Sequence, residues 1–491
     1  MKAVYLLLIP LLFSCNKKHG HSLPDPIYVQ PTIPIPPVRP PPSSAGPGFQ
    51  VVDNVEDSIL LDLQNLDSDQ ERRDTRYFVG CDRSNNGEDL TGFTEGVNRG
   101  LNQLSSEREL FFATPVGSSQ CVYRVDLSLI GWTAADWSLI GDNDVLQFES
   151  KTVRNQNIQF LTQARRPYLF ASSALLTAYE GDAVANKNGA IYYTIMNQAA
   201  NTETFLQSRG VNRQREVNNE DAMFSGFSGS QIALGKTRII QIFESNDGAC
   251  AGTADTALGG DDIFSNPFTP ELAKAGQVNG VQVTNKVFRH EAQEWICSLP
   301  NGIFGEYRLN NAADVAEVVA PANIVTNLQG AAQNIDSQIR TGDCMTCHYK
   351  ESAILGFKDQ LRSHLVTSPS FNAAEKKLGS IFFRFDKITA KVAELNRNHT
   401  RAMNELGVVS DEDPLWNVVM KPLRKEMRAE QVAGLMLMDV LTFKEKLRGA
   451  PISSQVFGNL LTDGGTVNLA TLSKGFQLMT EETAAYEDEN L

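Results

Sequence analysis

Basic residues are in short supply: 44 lysines and arginines face 58 aspartates and glutamates, a formal charge of −14. So acidic a chain argues against nonspecific nucleic-acid binding, which needs basic patches that displace counterions. No internal repeat recurs at a fixed period, and no apolar run beyond Phe13 is long enough to span a bilayer. The glycine-rich stretch from Gly248 to Gly260 has no Walker lysine, which excludes a P-loop. Its aspartates, Asp247, Asp255, Asp261 and Asp262, lack EF-hand spacing, so a solvated loop braced by Cys250 is expected there. Ser225-Gly226-Phe227-Ser228-Gly229 has the wrong spacing for a nucleophile elbow, and a hydrolase is set aside. Apolar residues at 42 % and charged residues at 21 % are ordinary for a globular protein. A chain of 491 residues can bury a real core. Cysteine is sparse, and its count of seven is odd. An odd count in an exported protein requires an explanation.

The first cysteine stands where an export signal would end. Lys2 precedes an apolar run from Val4 to Phe13, followed by Ser14-Cys15. A run of about ten apolar residues fits the core of a signal peptide and is too short to cross a membrane. Leu12-Phe13-Ser14-Cys15 resembles a lipobox, with Phe13 bulkier than the usual residue. This predicts a signal peptide over 1–14 and lipidation of Cys15. Asn16 is not the aspartate that retains such lipoproteins at the inner membrane, which points to the outer membrane, facing the periplasm or cell surface. Residues 15–50 then read as a linker, with ten prolines between 24 and 47. Proline fixes φ and removes donors, so an extended polyproline-II spacer is expected.

Two further cysteines carry chemistry. The chain reads Gly342-Asp343-Cys344-Met345-Thr346-Cys347-His348, the C-x-x-C-H attachment motif of c-type haem. Two thiols one helical turn apart can reach the two vinyl groups of one porphyrin edge. The adjacent histidine is directed at the iron as proximal ligand. A chance match anywhere in such a composition has a probability on the order of one in a thousand. A redox C-x-x-C needs no adjacent histidine, and a zinc site needs a second knuckle that the chain lacks. The expected cofactor is therefore one covalent haem c on Cys344 and Cys347, with His348 on the iron. A distal ligand is sought among His290, His364, His399 and several methionines. His290 and Met403 are the candidates carried forward, Met403 lying 55 residues after His348. Met436 and Met438 sit in an apolar helical run and read as core. Four cysteines remain, Cys81, Cys121, Cys250 and Cys297. An even number in an oxidising compartment predicts disulfides, and sequence proximity favours Cys81–Cys121 and Cys250–Cys297.

Periodicity predicts an α+β protein. Residues 51–327 read as a mixed region with several helices and antiparallel strands, and 328–491 as a mainly helical, cytochrome c-like region. Residues 51–118 look mostly helical, with capping chemistry at Ser68-Asp69-Gln70-Glu71 and helical spacing from Phe93 to Leu110. Cys121 to Leu127 and Thr237 to Phe243 read as strands, and Trp132 to Ile140 as a short helix. Trp295 to Leu299 and Ile303 to Leu309, joined by Pro300-Asn301-Gly302, predict a hairpin. Ala373 to Leu406 and Pro422 to Arg448 read as helices.

The segment order resembles that of the exported bacterial cytochrome c domain-containing proteins, a poorly characterised group with a single C-terminal C-x-x-C-H. The resemblance rests on Thr75-Arg76-Tyr77-Phe78, Val122 to Trp132, Arg166-Pro167-Tyr168, Ser225-Gly226-Phe227-Ser228 and Ile263-Phe264-Ser265-Asn266-Pro267. It continues with His290, Ser298-Leu299-Pro300-Asn301-Gly302, Cys344 to His348, Phe357-Lys358-Asp359-Gln360 and Asp463-Gly464-Gly465-Thr466. It implies haem binding and electron transfer, without a defined substrate. Members of the group often carry polar residues where Cys81 and Cys121 stand, so that pairing is particular to this chain.

The function expected is a lipid-anchored mono-haem cytochrome exchanging electrons with an unidentified redox partner protein. The acidic surface would favour a basic partner. The alternatives are a haem-dependent peroxidase or oxidase, and a surface binding or sensor protein containing haem. The first usually involves a second C-x-x-C-H in its diheme form, which this chain lacks.

Overall fold

The structure is a computed structural model of the whole chain. It describes residues 55–80, 90–117, 121–144, 146, 156–180, 191–197, 201–228, 237–256, 262–278, 286–310, 315–316, 348–349, 354, 360–408, 413–415, 426–436 and 438–483. The expected signal peptide, Cys15, the proline-rich stretch, Cys81, Cys344 and Cys347 lie outside the described residues.

Ser68 caps the short helix Asp69–Asp74, its Oγ accepting from the Glu71 backbone N–H at 3.1 Å, as the capping pattern predicts. The chain then turns directly into strand β1 (Thr75–Val79). This differs from the mostly helical reading of 51–118. Every residue of β1 is buried, so it shows no polar–apolar alternation, and periodicity has nothing to detect. β1 lies antiparallel to β3 (Val122–Asp126) and parallel to β4 (Tyr168–Phe170), with the short β2 (Thr114–Val116) on the far side of β3. The sheet order is β2-β3-β1-β4. Between β1 and β2 the helix Leu90–Gln103 forms, ending before the predicted Leu110. Helix Ala134–Asp142 follows β3, opened by a capping box between Thr133 and Asp136.

The larger sheet is a six-stranded antiparallel meander of β5 (Met223–Ser228), β6 (Thr237–Ser245), β7 (Gly248–Thr256), β8 (His290–Ser298), β9 (Phe304–Asn310) and β10 (Val315–Ala316). Each strand pairs with its neighbour in sequence. The β8–β9 hairpin turns where Asn301-Gly302 predicts it. Gly302 adopts φ 84°, and Leu299 N–H donates to the Ile303 carbonyl at 2.7 Å. Strand β7 occupies the stretch expected to be a solvated loop. Its small residues have weak strand propensity, but Gly252 lies opposite Trp295. A Cβ there would sit 2.5 Å from the indole ring, so the cross-strand pair needs a glycine.

Successive side chains of a strand face opposite ways. On β8, Gln293, Trp295 and Cys297 face the main core with Phe243 and Cys250, while Ile296 packs on the other side with Ile240, Ile242 and Ala251. That second face is covered by the long helix Phe385–Glu405 through Ile388, Val392 and Leu395. The predicted continuous helix from Ala373 to Leu406 is broken into Ala373–Phe382 and Phe385–Glu405. Phe382 and Phe383 both lie 6.1 Å from Phe224. Adjacent residues of a continuous helix point about 100° apart, so the break lets both rings reach one neighbour. Residues after 426 add short helices and the small pair β11 (Met427–Arg428) and β12 (Thr466–Val467). The architecture is α+β, with both main sheets before residue 317 and a more helical region from 361 onward.

Candidate functional site

The described chain just past the C-x-x-C-H motif is fastened at four points. At the first, His399 of the long helix bonds the Tyr349 carbonyl through Nε2 at 2.9 Å. At the second, Asn396 on the same helix exchanges both backbone bonds with Ile354, each 2.9 Å. Residues 396 and 399 are three apart, so a single helix face holds both. At the third, Gln360 N–H donates to the Gly226 carbonyl at 3.0 Å, and Gln360 Oε1 accepts from the Ser228 N–H and hydroxyl, each 2.9 Å. At the fourth, the His364 ring bonds the Phe264 carbonyl at 3.0 Å and stands edge-on to Phe264 and Phe371. The segments 225–228 and 263–267, distant in sequence, thus meet Gln360 and His364 on the chain that leaves the motif.

His399 is fully buried. Its Nδ1 accepts from the Phe304 N–H at 3.2 Å, which assigns the proton to Nε2 and makes the ring neutral. The imidazole stacks on the Phe304 ring at 4.4 Å. Burial, and then the nearby Arg99 charge, push its pKa down to about 3. These bonds make His399 a structural bridge between strand, helix and motif, and occupy both its nitrogens.

The Phe304 carbonyl is held as firmly as its N–H. Gln103 Nε2 donates to it at 2.8 Å. Gln103 Oε1 in turn accepts from Arg99, whose guanidinium pairs with Asp413 at 2.9 Å. Arg99 and Asp413 side chains are 0 % and 2 % exposed, so this pair is desolvated and depends on its geometry. A buried polar chain therefore runs from Asp413 through Arg99, Gln103, Phe304 and His399 to Tyr349. Sequence reasoning missed Arg99 and Gln103. The available signal was an arginine amid Asn98, Asn102 and Gln103 on a helix whose Val97 and Leu101 are core residues.

His348 itself sits at the seam between sheet and helix. Its Nε2 is 3.8 Å from Glu294 Oε1, and the two side chains are 21 % and 22 % exposed. Glu294 belongs to β8 on the face of Ile296, in cross-strand register with Thr253 and, through Thr253, with Ile240. On the same row Ser225 faces Ile240. The Ser225 and Thr253 hydroxyls are buried with no hydrogen-bond partner among the described residues.

The two distal-ligand candidates differ in position. Met403 is 1 % exposed and packs with Ile303, Ala402, Leu406 and Val408 in a small cluster that Tyr349 adjoins. His290 opens β8 with its backbone opposite Thr256. It lies four residues from Glu294, about 13 Å along a strand. His364 and His399 are engaged as described, and Met436 and Met438 are core residues. Cys250 and Cys297 lie directly opposite each other on β7 and β8 and form a disulfide. Cys121 is also disulfide-bonded. Gly80 N–H donates to the Cys121 carbonyl at 2.8 Å, extending the β1–β3 pairing by one residue.

Among the described residues no group of three histidines, cysteines or acids could hold a metal ion. No described helix is long and apolar enough to cross a membrane. No protein-family profile, no characterised protein and no solved structure matches the chain.

Proposed function

We propose that the protein is a membrane-anchored mono-haem c-type cytochrome that transfers electrons outside the cytoplasm. The observation that carries this reading is the Cys344-x-x-Cys347-His348 motif, with the chain beyond it fastened to both the six-stranded sheet and the long helix. The donor chemistry suits a haem: two thiols for thioether links, an imidazole for the iron, and a buried thioether beside the residue that follows His348. When bound, the haem supplies one-electron chemistry at its iron. Cys344 and Cys347 would fix the porphyrin edge, and His348 would hold the iron. His399 and Asn396 orient the chain that carries His348. Met403 is the distal ligand this reading favours over His290, because its cluster adjoins Tyr349. Cys15 would anchor the protein to a lipid membrane, and the net acidic chain would attract a basic redox partner, an attraction that salt weakens.

The test is a pyridine haemochrome assay on the full chain produced with its export signal, together with the mass of the peptide containing residues 344–348. One covalent haem per chain is expected, and its absence overturns the reading. Met403→Ala is expected to abolish the methionine–iron charge-transfer band of the ferric spectrum while haem content stays the same. Cys15→Ala is expected to move the protein from the membrane to the soluble fraction.

A further inference from the structure

The long helix Phe385–Glu405 crosses the strands of the six-stranded sheet. In its first half Lys391 pairs with Glu244, near the end of β6, at 3.1 Å. In its second half His399 Nδ1 accepts from Phe304, which opens β9. Side chains on this face stand in rows set by the strand register. Next to the crossing, Met223, Ile242, Ala251 and Ile296 form a row, and all four are buried. The following row is Ser225, Ile240, Thr253 and Glu294. Thr253 and Glu294 belong to β7 and β8, the two central strands, yet both are only half-buried. The helix therefore covers the nearer rows and leaves this one to the chain around the motif. His348 reaches it at Glu294, which stands opposite Arg308 in the β8–β9 register. Ile354 joins the same apolar cluster, and Phe227 packs against it. The row also lacks something polar, because the buried Ser225 and Thr253 hydroxyls have no hydrogen-bond partner.

We propose that the haem lies against this row, with Ile240 and Thr253 under it and Phe227 at its margin, so that the six-stranded sheet forms one wall of the cofactor site. This seat rests on the haem reading and goes beyond it, because it draws the surroundings of the cofactor from the mixed region as well as from the helical region that carries the motif. The chemistry of the row suits a porphyrin. Cofactor sites are mostly apolar, with a few polar groups that fix orientation. Ile240, Phe227 and Ile354 offer apolar surface to the ring. The carboxylates of a haem are acceptors of the kind that the Ser225 and Thr253 hydroxyls lack. A strand held by neighbours on both sides keeps such a wall rigid, as β6, β7 and β8 are held here.

The experiment is methyl NMR of the full-length haem protein labelled at isoleucine, recorded in the ferric and ferrous states. An unpaired electron spin on the iron shifts nearby nuclei, and the effect falls steeply with distance. Ile240→Val assigns the Ile240 signal by its disappearance and changes the core by one methylene. Ile354→Val assigns Ile354 in the same way and supplies a second reporter if the first variant fails to accumulate. The Ile240 and Ile354 signals are expected to move most between the two states. Ile242, one row away, is expected to move less, and Ile158, buried against the first sheet, to stay in place. Unmoved Ile240 and Ile354 signals in a protein with one covalent haem overturn the seat and leave the haem reading intact. A larger movement at Ile158 than at Ile240 also overturns the seat. A parent protein without covalent haem overturns both.

Discussion

Glu216 carries a charge that its surroundings disfavour. It is 5 % exposed, and its Oε2 accepts from the Glu244 N–H at 3.0 Å. Burial is the main cause that lifts its pKa to about 7, with the Glu244 carboxylate adding to the rise. The folded value lies above the ordinary 4.5, so the folded chain binds this proton more tightly than the unfolded one. Stability from this group is complete below about pH 4.5 and is lost as pH rises through 7. Glu216→Gln keeps an acceptor and cannot ionise. At pH 8 the variant is expected to exceed the parent in stability by about 1–3 kcal/mol, and at pH 4 to match it. Urea midpoints at the two pH values check this, and an equal difference at both would contradict it. His399 makes a second residue-scale case. His399→Phe keeps the stack on Phe304 but leaves the Phe304 N–H and Tyr349 carbonyl without their partner. A loss of about 2–4 kcal/mol is expected in denaturant titration. These two residues also show what a sequence can and cannot disclose. Cys344, Cys347 and His348 are recognisable because their chemistry lies within five consecutive positions. His399 draws its role from Phe304, 95 positions away. No local pattern separates it from any other buried histidine.

At the scale of elements, the elements read correctly were those with a local cue. Ser68 and Thr133 cap helices through bonds to residues three positions on, and Asn301-Gly302 sets a turn. β3 and β6 show strand-like patterns of β-branched and aromatic residues. β1 and β7 were not legible. β1 is buried on every residue, and β7 is built from glycine, alanine, cysteine and threonine with one aspartate, Asp255, and forms a strand here because β6 and β8 flank it. Tertiary pairing overrides propensity in both. Gly252 makes this dependence measurable. Its missing Cβ is the space that the Trp295 ring occupies. Gly252→Ala must displace a fully buried indole, because the contact is with the ring itself. Overpacking of this kind costs about 1–3 kcal/mol. The expected result is a lower melting temperature together with a changed tryptophan emission spectrum. An unchanged spectrum and melting temperature would mean that the strand pair does not meet through this contact.

At the scale of the whole molecule, the apolar core joins regions that the sequence reads separately. One cluster of buried residues extends from Val55 to Met479. Phe170 of β4 meets Phe476 of the last described helix at 6.1 Å, and Phe224 of β5 meets Phe382 and Phe383. Arg99, in the first hundred residues, pairs with Asp413. A chain ending at residue 327 would keep both main sheets. Two losses weigh against its folding alone. Removal of the C-terminal helices exposes Phe170 and Phe224, and each fully exposed aromatic side chain costs about 1.5–3 kcal/mol. Loss of Asp413 strands the Arg99 charge in the interior, at about 3–5 kcal/mol. Together these losses approach the whole stability of a typical domain, about 5–15 kcal/mol. Residues 51–327 produced alone are therefore expected to show no cooperative thermal transition, whereas the full chain shows one. Arg99→Met in the full chain is expected to lower stability, and Arg99→Met combined with Asp413→Leu to recover much of the loss, since an apolar pair needs no desolvation. A cooperative transition in the truncated chain, at a temperature near that of the parent, would show that the shared core is not what makes it fold. The acidic excess across the whole chain adds no counterweight, because dispersed like charges oppose compaction.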